Sequence, residues 1–479
     1  SELRYVLYSC GEQPINKHFL QMERHVYDQD VVGCVQQDIV FWSEKGYGQW
    51  FWSEEDLAHL RKDGEKLLDT KNARSSVEET KKAVEEYWSQ ARTLLSTVES
   101  KGSPLDLANQ YEKYSYALRR VYAHFNTSVA YTTFSVESRL KEIILKATSN
   151  DVDSQFILLT SPEKPDLLSD ELIAWLSVLK NPTDEAILLH ARRYPISLAN
   201  VLSESAVIKW GRDRIAASSL QEIEDRIREA DKRRRELKLN QEKILAKLAS
   251  REAEELSWFL RESTRCRLLV KNCWNGEVFL LLPFFKKIAS LGECSVKDAY
   301  FFYTRPEVMS LLRNKVKISG EELRKRKKAC LLLFSAGKIE LFSGKAALDE
   351  KKQLLGDSLP AKDVLAIRGT IANRGKVSGK ARIIRTENPN EIRLIANSIE
   401  GDCILVAGMT NPTMIPLFSK VKGIITDEGG ATCHAAVLSR EFGLPCIVGC
   451  KIATLILKDG EDVLLDATAG VVRRKLGLP

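Results

Sequence analysis

Thr426-Asp427-Glu428-Gly429-Gly430-Ala431-Thr432-Cys433-His434-Ala435-Ala436-Val437-Leu438-Ser439-Arg440 is the stretch on which the reading of this 479-residue chain turns. Ile424 and Ile425 ahead of it read as the end of a buried strand. Gly429 and Gly430 then permit a tight turn and a close approach of backbone to a ligand. Thr432 is of the residue type that caps helices, and Ala435 to Arg440 reads as the opening turns of one. His434 therefore falls in the first turn and is expected to face solvent. There the outward N–H groups and the positive end of the helix dipole make a ready seat for phosphate. A neutral imidazole in that position can attack a phosphoryl group with one nitrogen. The phosphohistidine so formed keeps its negative charge beside those donors.

A histidine near a helix start is more often a polar surface residue or a satisfied cap, but the neighbours of His434 change that reading. Gly-Gly-x-Thr-x-His-Ala-Ala resembles the phosphohistidine signature of the phosphoenolpyruvate-utilising enzymes. The resemblance extends through Gly369 to Arg382 (GTIANRGKVSGKAR), Gly401 to Pro412 (GDCILVAGMTNP), Phe442 to Gly449 (FGLPCIVG) and Asp459 to Val472 (DGEDVLLDATAGVV). These segments are similar, in order and spacing, to the small swivelling domain of that family. The resemblance implies that His434 is the phosphorylated residue, with Gly429, Gly430, Thr432 and Cys433 supporting the phosphate. Filling a small-residue position is the favoured role for Cys433. The fold it implies is an α/β C-terminal phosphohistidine swivelling domain preceded by a mainly α-helical (α+β) region.

Length allows two to four domains. The formal net charge of +7 is a mild excess over this length and does not indicate a polyanion-binding protein. No apolar run approaches the roughly 20 residues of a membrane span, and no basic segment followed by an apolar stretch opens the sequence. The ten cysteines include no C-x-x-C pair. Cys446 and Cys450 lack a companion histidine pair, so no metal site is expected. They read as reduced thiols of a cytoplasmic protein.

Four regions are expected. Residues 1–218 hold short amino-terminal strands and then a run of helices, a region that the resemblance makes the candidate acceptor-binding part. Trp42, Trp50 and Trp52 crowd its strands, where aromatic clusters are more often core than pocket. Residues 219–344 carry a long charged helix, further helices and a β-hairpin about Ser335 to Lys338. In that helix Leu220, Ile223, Ile227, Ala230, Arg234, Leu237, Gln241, Ile244 and Leu248 form a heptad seam, read as half of a helical hairpin. Residues 345–365 are expected as a mobile linker, and 366–479 as the swivelling domain.

No glycine-rich loop followed by lysine in the Walker arrangement is present. Neither the ATP-grasp domain nor the pyruvate-binding barrel of the family is recognisable. The resemblance thus implies a phosphotransferase component. His434 would carry a phosphoryl group to a small-molecule acceptor, with ATP and Mg held by an ATP-grasp protein in trans. A non-catalytic binding or regulatory protein that keeps the fold is the alternative. A nucleic-acid binder using Lys232 to Arg235 and Arg324 to Lys328 is the least favoured, because mixed charge on an amphipathic helix is usually a solvated face.

Overall fold

The computed structural model describes residues 5–33, 38–125, 130–147, 151–356, 364–399, 401–430 and 433–474. Contacts divide the chain into two units, one of residues 27–35 and 58–284, the other of residues 1–26, 36–57 and 285–479.

The first unit is helical. Thr70–Glu99, whose cap Asp69 accepts the amide of Asn72 at 2.9 Å, packs along Pro104–Phe125. Tyr87, Tyr111 and Tyr114 lie buried along the two helices. The Leu220–Leu248 helix starts in a capping box of Ser219 and Glu222. Its seam positions are buried or half-buried, whereas Lys232, Arg233 and Arg235 are exposed. Gln241 donates to the carbonyls of Leu158 and Ser161 at 2.7 and 2.8 Å, which fastens the helix to the end of Val152–Thr160. The seam therefore serves the helices Val152–Thr160 and Leu167–Lys180 rather than a hairpin with the next helix. Ala249, in the left-handed region at φ 45°, ends it, and Ser250 caps Arg251–Trp274 in a new direction.

The second unit contains two sheets. One is antiparallel, in the order β1-β3-β2-β4-β5: β1 Tyr5–Glu12, β2 Ile39–Glu44, β3 Tyr47–Ser53, β4 Ala329–Ser335 and β5 Lys338–Ser343. β2 pairs with β4, Trp42 opposite Leu331, so the amino-terminal strands and the hairpin form a single sheet. A boundary at residue 218 is thus not where the chain divides. The expected linker also needs correction. Residues Gly344–Leu355 form a helix whose Ala347 and Leu355 are buried in a cluster with Val40, Trp42 and Phe51. Lys351 lies in the stripe between them, its Nζ 4.3 Å from the centroid of the Trp42 ring. A lysine whose stem covers apolar surface hides the helical period from a hydrophobicity count. Residues 357–363 of that expected linker lie outside the described residues.

The other sheet has eight strands in the order β6-β13-β12-β8-β9-β10-β11-β7. These are β6 Ala366–Arg368, β7 Thr370–Asn373, β8 Lys376–Ile384, β9 Cys403–Ala407, β10 Gly423–Thr426, β11 Cys446–Val448, β12 Asp462–Asp466 and β13 Val471–Arg474. β8 to β11 are parallel, and the register sets Ile384 beside Ala407 and Ala407 beside Thr426. Alternate residues serve opposite faces: Ile404, Val406 and Ile425 enter one core, Leu405, Ala407 and Ile424 the other. Burial on both faces is the reason these strands read as unbroken apolar runs.

Arg326 supports the first sheet from below. Only 5% of its side chain is exposed. It forks onto Glu307 at 2.8 and 2.6 Å, meets Glu322 at 2.8 Å and donates to the carbonyl of Phe302 at 2.7 Å. Arg326→Ala strands two carboxylates and is expected to cost about 3–5 kcal/mol in chemical denaturation. A loss below ~1 kcal/mol would show that water replaces the guanidinium.

Candidate active site

Four parallel strands ending level put four loops on one edge of the sheet, and His434 lies on that edge. β10 ends in Thr426, whose hydroxyl donates to the carbonyl of Glu428 at 2.7 Å. Asp427, buried, accepts the amide of Ala453 at 2.5 Å, the amide of Thr454 at 3.1 Å and the Thr454 hydroxyl. The carboxylate thereby fastens the loop after β10 to the short helix Ala453–Ile456 that follows β11. Gly429 turns the chain at φ +106°, and a Cβ there would lie 2.6 Å from the Cys433 sulfur. Gly430 contributes its carbonyl, which accepts the amide of Cys433 at 3.0 Å.

The helix runs from His434 to Glu441, with Cys433 as its N-cap residue. Its first internal bond runs from the amide of Val437 to the carbonyl of Cys433 at 3.0 Å. This moves the cap one residue beyond Thr432, because the turn closed onto Gly430 brings Cys433 to the helix mouth. Ala431 and Thr432 lie outside the described residues. The Cys433 side chain makes no capping hydrogen bond and packs half-buried against the core under the helix. Small residues, Ala435, Ala436 and Ser439, face the sheet and let the helix approach it.

His434 does not face solvent as expected. The residue is half-buried and its Nε2 is enclosed. Nδ1 lies 2.9 Å from the hydroxyl oxygen of Thr410, and the ring stands edge-on to Phe418, centroids 6.3 Å apart at 86°. Thr410 follows β9 and is 1% exposed. Its loop is held by Asn411, whose Oδ1 accepts the amide of Thr413 at 3.0 Å and the Thr413 hydroxyl. With the proton on Nδ1, that nitrogen donates to Thr410 and Nε2 carries the lone pair. Sequence reading passed over Thr410, although it lies in the quoted stretch Gly401 to Pro412. Only the pairing of β9 with β10 brings it to the histidine.

Burial holds the thiols of Cys446 and Cys450 far above the ordinary cysteine range. Among the described residues, no three His, Cys, Asp or Glu side chains gather into a group that could hold a metal ion. Among them, too, no helix is long and apolar enough to cross a membrane.

Residues 399–470 match the family described as PEP-utilising enzyme, mobile domain. This part of the chain is similar to the mobile domain of that family. A probable phosphoenolpyruvate synthase of Archaeoglobus fulgidus is 44% identical over 124 residues, 26% of this chain and 16% of the relative. A rifampicin phosphotransferase of Bacillus cereus is 40% identical over 116 residues, 24% of this chain and 12% of the relative. The chain therefore spans less than a fifth of the length of these relatives. A solved structure, the holo-form of aconitase X from Thermococcus kodakaraensis, covers 24% of this chain at 19% identity with a TM-score of 0.19, too low to carry an argument.

Burial pushes the Asp427 carboxyl of the mobile domain up to about 6, against the pull of its three donors. An unfolded aspartate titrates near 3.9. A carboxyl raised on folding adds stability while it holds its proton, and that stability is lost as pH rises through about 4 to 6. The native chain should therefore gain about 1.4 kcal/mol over Asp427→Asn on going from pH 7 to pH 5. Denaturant unfolding of both proteins at the two pH values checks this. A pH-independent difference would contradict the buried, ionised carboxylate.

Proposed function

We propose that this chain is the phosphoryl-carrying component of a phosphotransferase of the PEP-utilising type. His434 takes a phosphoryl group derived from ATP and hands it to a small-molecule acceptor bound by the helical unit. ATP and Mg belong, in this reading, to an ATP-grasp protein acting in trans.

The observation that carries the proposal is the hydrogen bond between Thr410 and Nδ1 of His434. With Nδ1 engaged, attack falls to Nε2. In the loading step the Nε2 lone pair forms an N–P bond while the P–O bond to the donor breaks, and the donor oxygen leaves with the electron pair. While the proton stays on Nδ1, bonded to Thr410, the phosphorylated ring is an imidazolium whose positive charge lies beside the negative phosphoryl group and makes Nε2 the better leaving group. In the unloading step an acceptor oxygen attacks phosphorus, the N–P bond breaks and the lone pair returns to Nε2. Preorganised donors at such a site act without reorganising during the reaction. Nε2 is enclosed in the conformation described. Loading therefore requires the domain to move, in keeping with a carrier that travels between donor and acceptor sites.

The alternative, a non-catalytic binding or regulatory protein, gives no reason for an imidazole oriented by a buried threonine. Two variants separate the readings. His434→Ala removes the nucleophile and should abolish an acid-labile, base-stable label introduced by partner and ATP. Thr410→Val keeps the nucleophile and loses one hydrogen bond, worth about 0.5–1.5 kcal/mol, so labelling should slow by roughly 3- to 10-fold. Undiminished labelling of His434→Ala would refute the assignment.

A further inference from the structure

Three helices of the helical unit, Leu167–Lys180, Asp184–Arg193 and Glu204–Ala216, bring another histidine to a carboxylate. Gly211 lets the last two approach closely, since a Cβ there would lie 2.3 Å from a methyl carbon of Ile187. His190 is buried, and its Nε2 lies 2.7 Å from Oε1 of Glu171. Arg214 donates to both oxygens of that carboxylate, to Oε2 at 3.0 Å. Burial would raise the Glu171 carboxyl, but Arg214 and then the imidazole bring it down to about 2, so it accepts as a carboxylate at neutral pH. The indole of Trp175 closes the group. Its ring centroid is 4.9 Å from that of the imidazole, edge-on at 71°, and the Arg214 guanidinium stands 4.1 Å over it. Trp175 is wholly buried, and among the described residues its Nε1 has no hydrogen-bond partner. Arg214 and Trp210 are half-buried and carry the group to the surface of the unit.

We propose that His190, oriented by Glu171, is the general base that takes the proton from a hydroxyl of the small-molecule acceptor. The inference rests on the carrier reading of His434 and supplies the proton acceptor for its unloading step. With Nε2–H donated to the carboxylate, Nδ1 carries the lone pair. Arg214 already balances the charge of Glu171, so the imidazole is not there to neutralise it. The bond from Glu171 instead fixes the ring and its tautomer. The indole N–H is a buried donor left unmet, which is costly until something accepts from it. A hydroxyl answers both rings at once, giving its proton to Nδ1 and accepting from Nε1. In the transfer the O–H proton passes to Nδ1 of His190 while the oxygen attacks phosphorus. The N–P bond to His434 breaks and its electron pair returns to Nε2 of that ring. The imidazolium of His190 then releases its proton to water.

The test uses the full chain, phosphorylated chemically with phosphoramidate, and methanol as the probe acceptor. Phosphorus-31 NMR follows methyl phosphate, while inorganic phosphate in the same sample reports spontaneous hydrolysis. The native chain should form methyl phosphate at a rate that rises with pH as Nδ1 of His190 loses its proton. Glu171 and Arg214 are the charged groups around that ring, with Arg193 and Asp170 acting on the neighbouring Tyr194. His190→Gln should lower the rate about 100-fold and remove its rise with pH. Trp175→Phe, which keeps an aromatic ring and loses the N–H, should lower the rate about 3- to 10-fold and keep the rise with pH. Should His190→Gln disrupt the fold, Trp175→Phe decides. No methyl phosphate from the native chain, an undiminished rate in either variant, or a fall in His190→Gln that keeps the native rise with pH would overturn the proposal. A chain whose His434 takes no phosphate contradicts the carrier reading before methanol is added. Nitrogen-15 NMR of His190 still decides the base in that case: its neutral ring must hold the proton on Nε2, and a proton on Nδ1 would overturn the proposal.

Discussion

The bond between Thr410 and His434 depends on two strands ending level. Thr410 follows β9 and His434 follows the glycine turn after β10, and the pairing of Ala407 with Thr426 brings the two loops together. A shift of the register by one residue would turn each strand's residues into the opposite core and carry the threonine away from the ring. The burial of Ile404, Val406, Ile424 and Ile425 on both faces therefore fixes more than stability. It fixes which imidazole nitrogen Thr410 engages. Asp427 extends the same constraint to the loop after β11, tying a third strand end to the site through the amides of Ala453 and Thr454.

Much of the site was legible in the residues. Gly429 and Gly430 mark the turn, and His434 lies in the first turn of the helix, because glycine punctuation and the change from strand to helix period are local signals. The cap was misplaced by one residue, since the choice between Thr432 and Cys433 depends on a hydrogen bond to the Gly430 carbonyl, which composition does not encode. The exposure of His434 was misjudged because Phe418 and Thr410 approach it from other loops. The contacts of Thr410 and Asp427 were invisible for the same reason. Their partners are 24 and 26–27 residues away, and only the sheet order brings them together.

At the scale of the fold, long local patterns were readable and non-local pairings were not. The Leu220–Leu248 helix follows from its heptad seam. Nothing in the sequence joins strands of residues 5–53 to a hairpin at 329–343, so the antiparallel sheet that unites them was missed. The helix of Gly344–Leu355 was hidden by Lys351, whose charge conceals a stem laid over Trp42. That helix, taken from the expected linker, builds the core of the sheet that meets the mobile domain, and Leu455 reaches that same core from the His434 edge.

The central claim is that Thr410 reserves Nε2 of His434 for phosphorus. The phosphorylated nitrogen can be read directly, by nitrogen-15 and phosphorus-31 NMR of the full chain labelled at its histidines and phosphorylated chemically with phosphoramidate. The account predicts a single phosphohistidine at residue 434 with phosphorus coupled to Nε2 and a proton retained on Nδ1. Phosphorus on Nδ1, or on a different histidine, would contradict it.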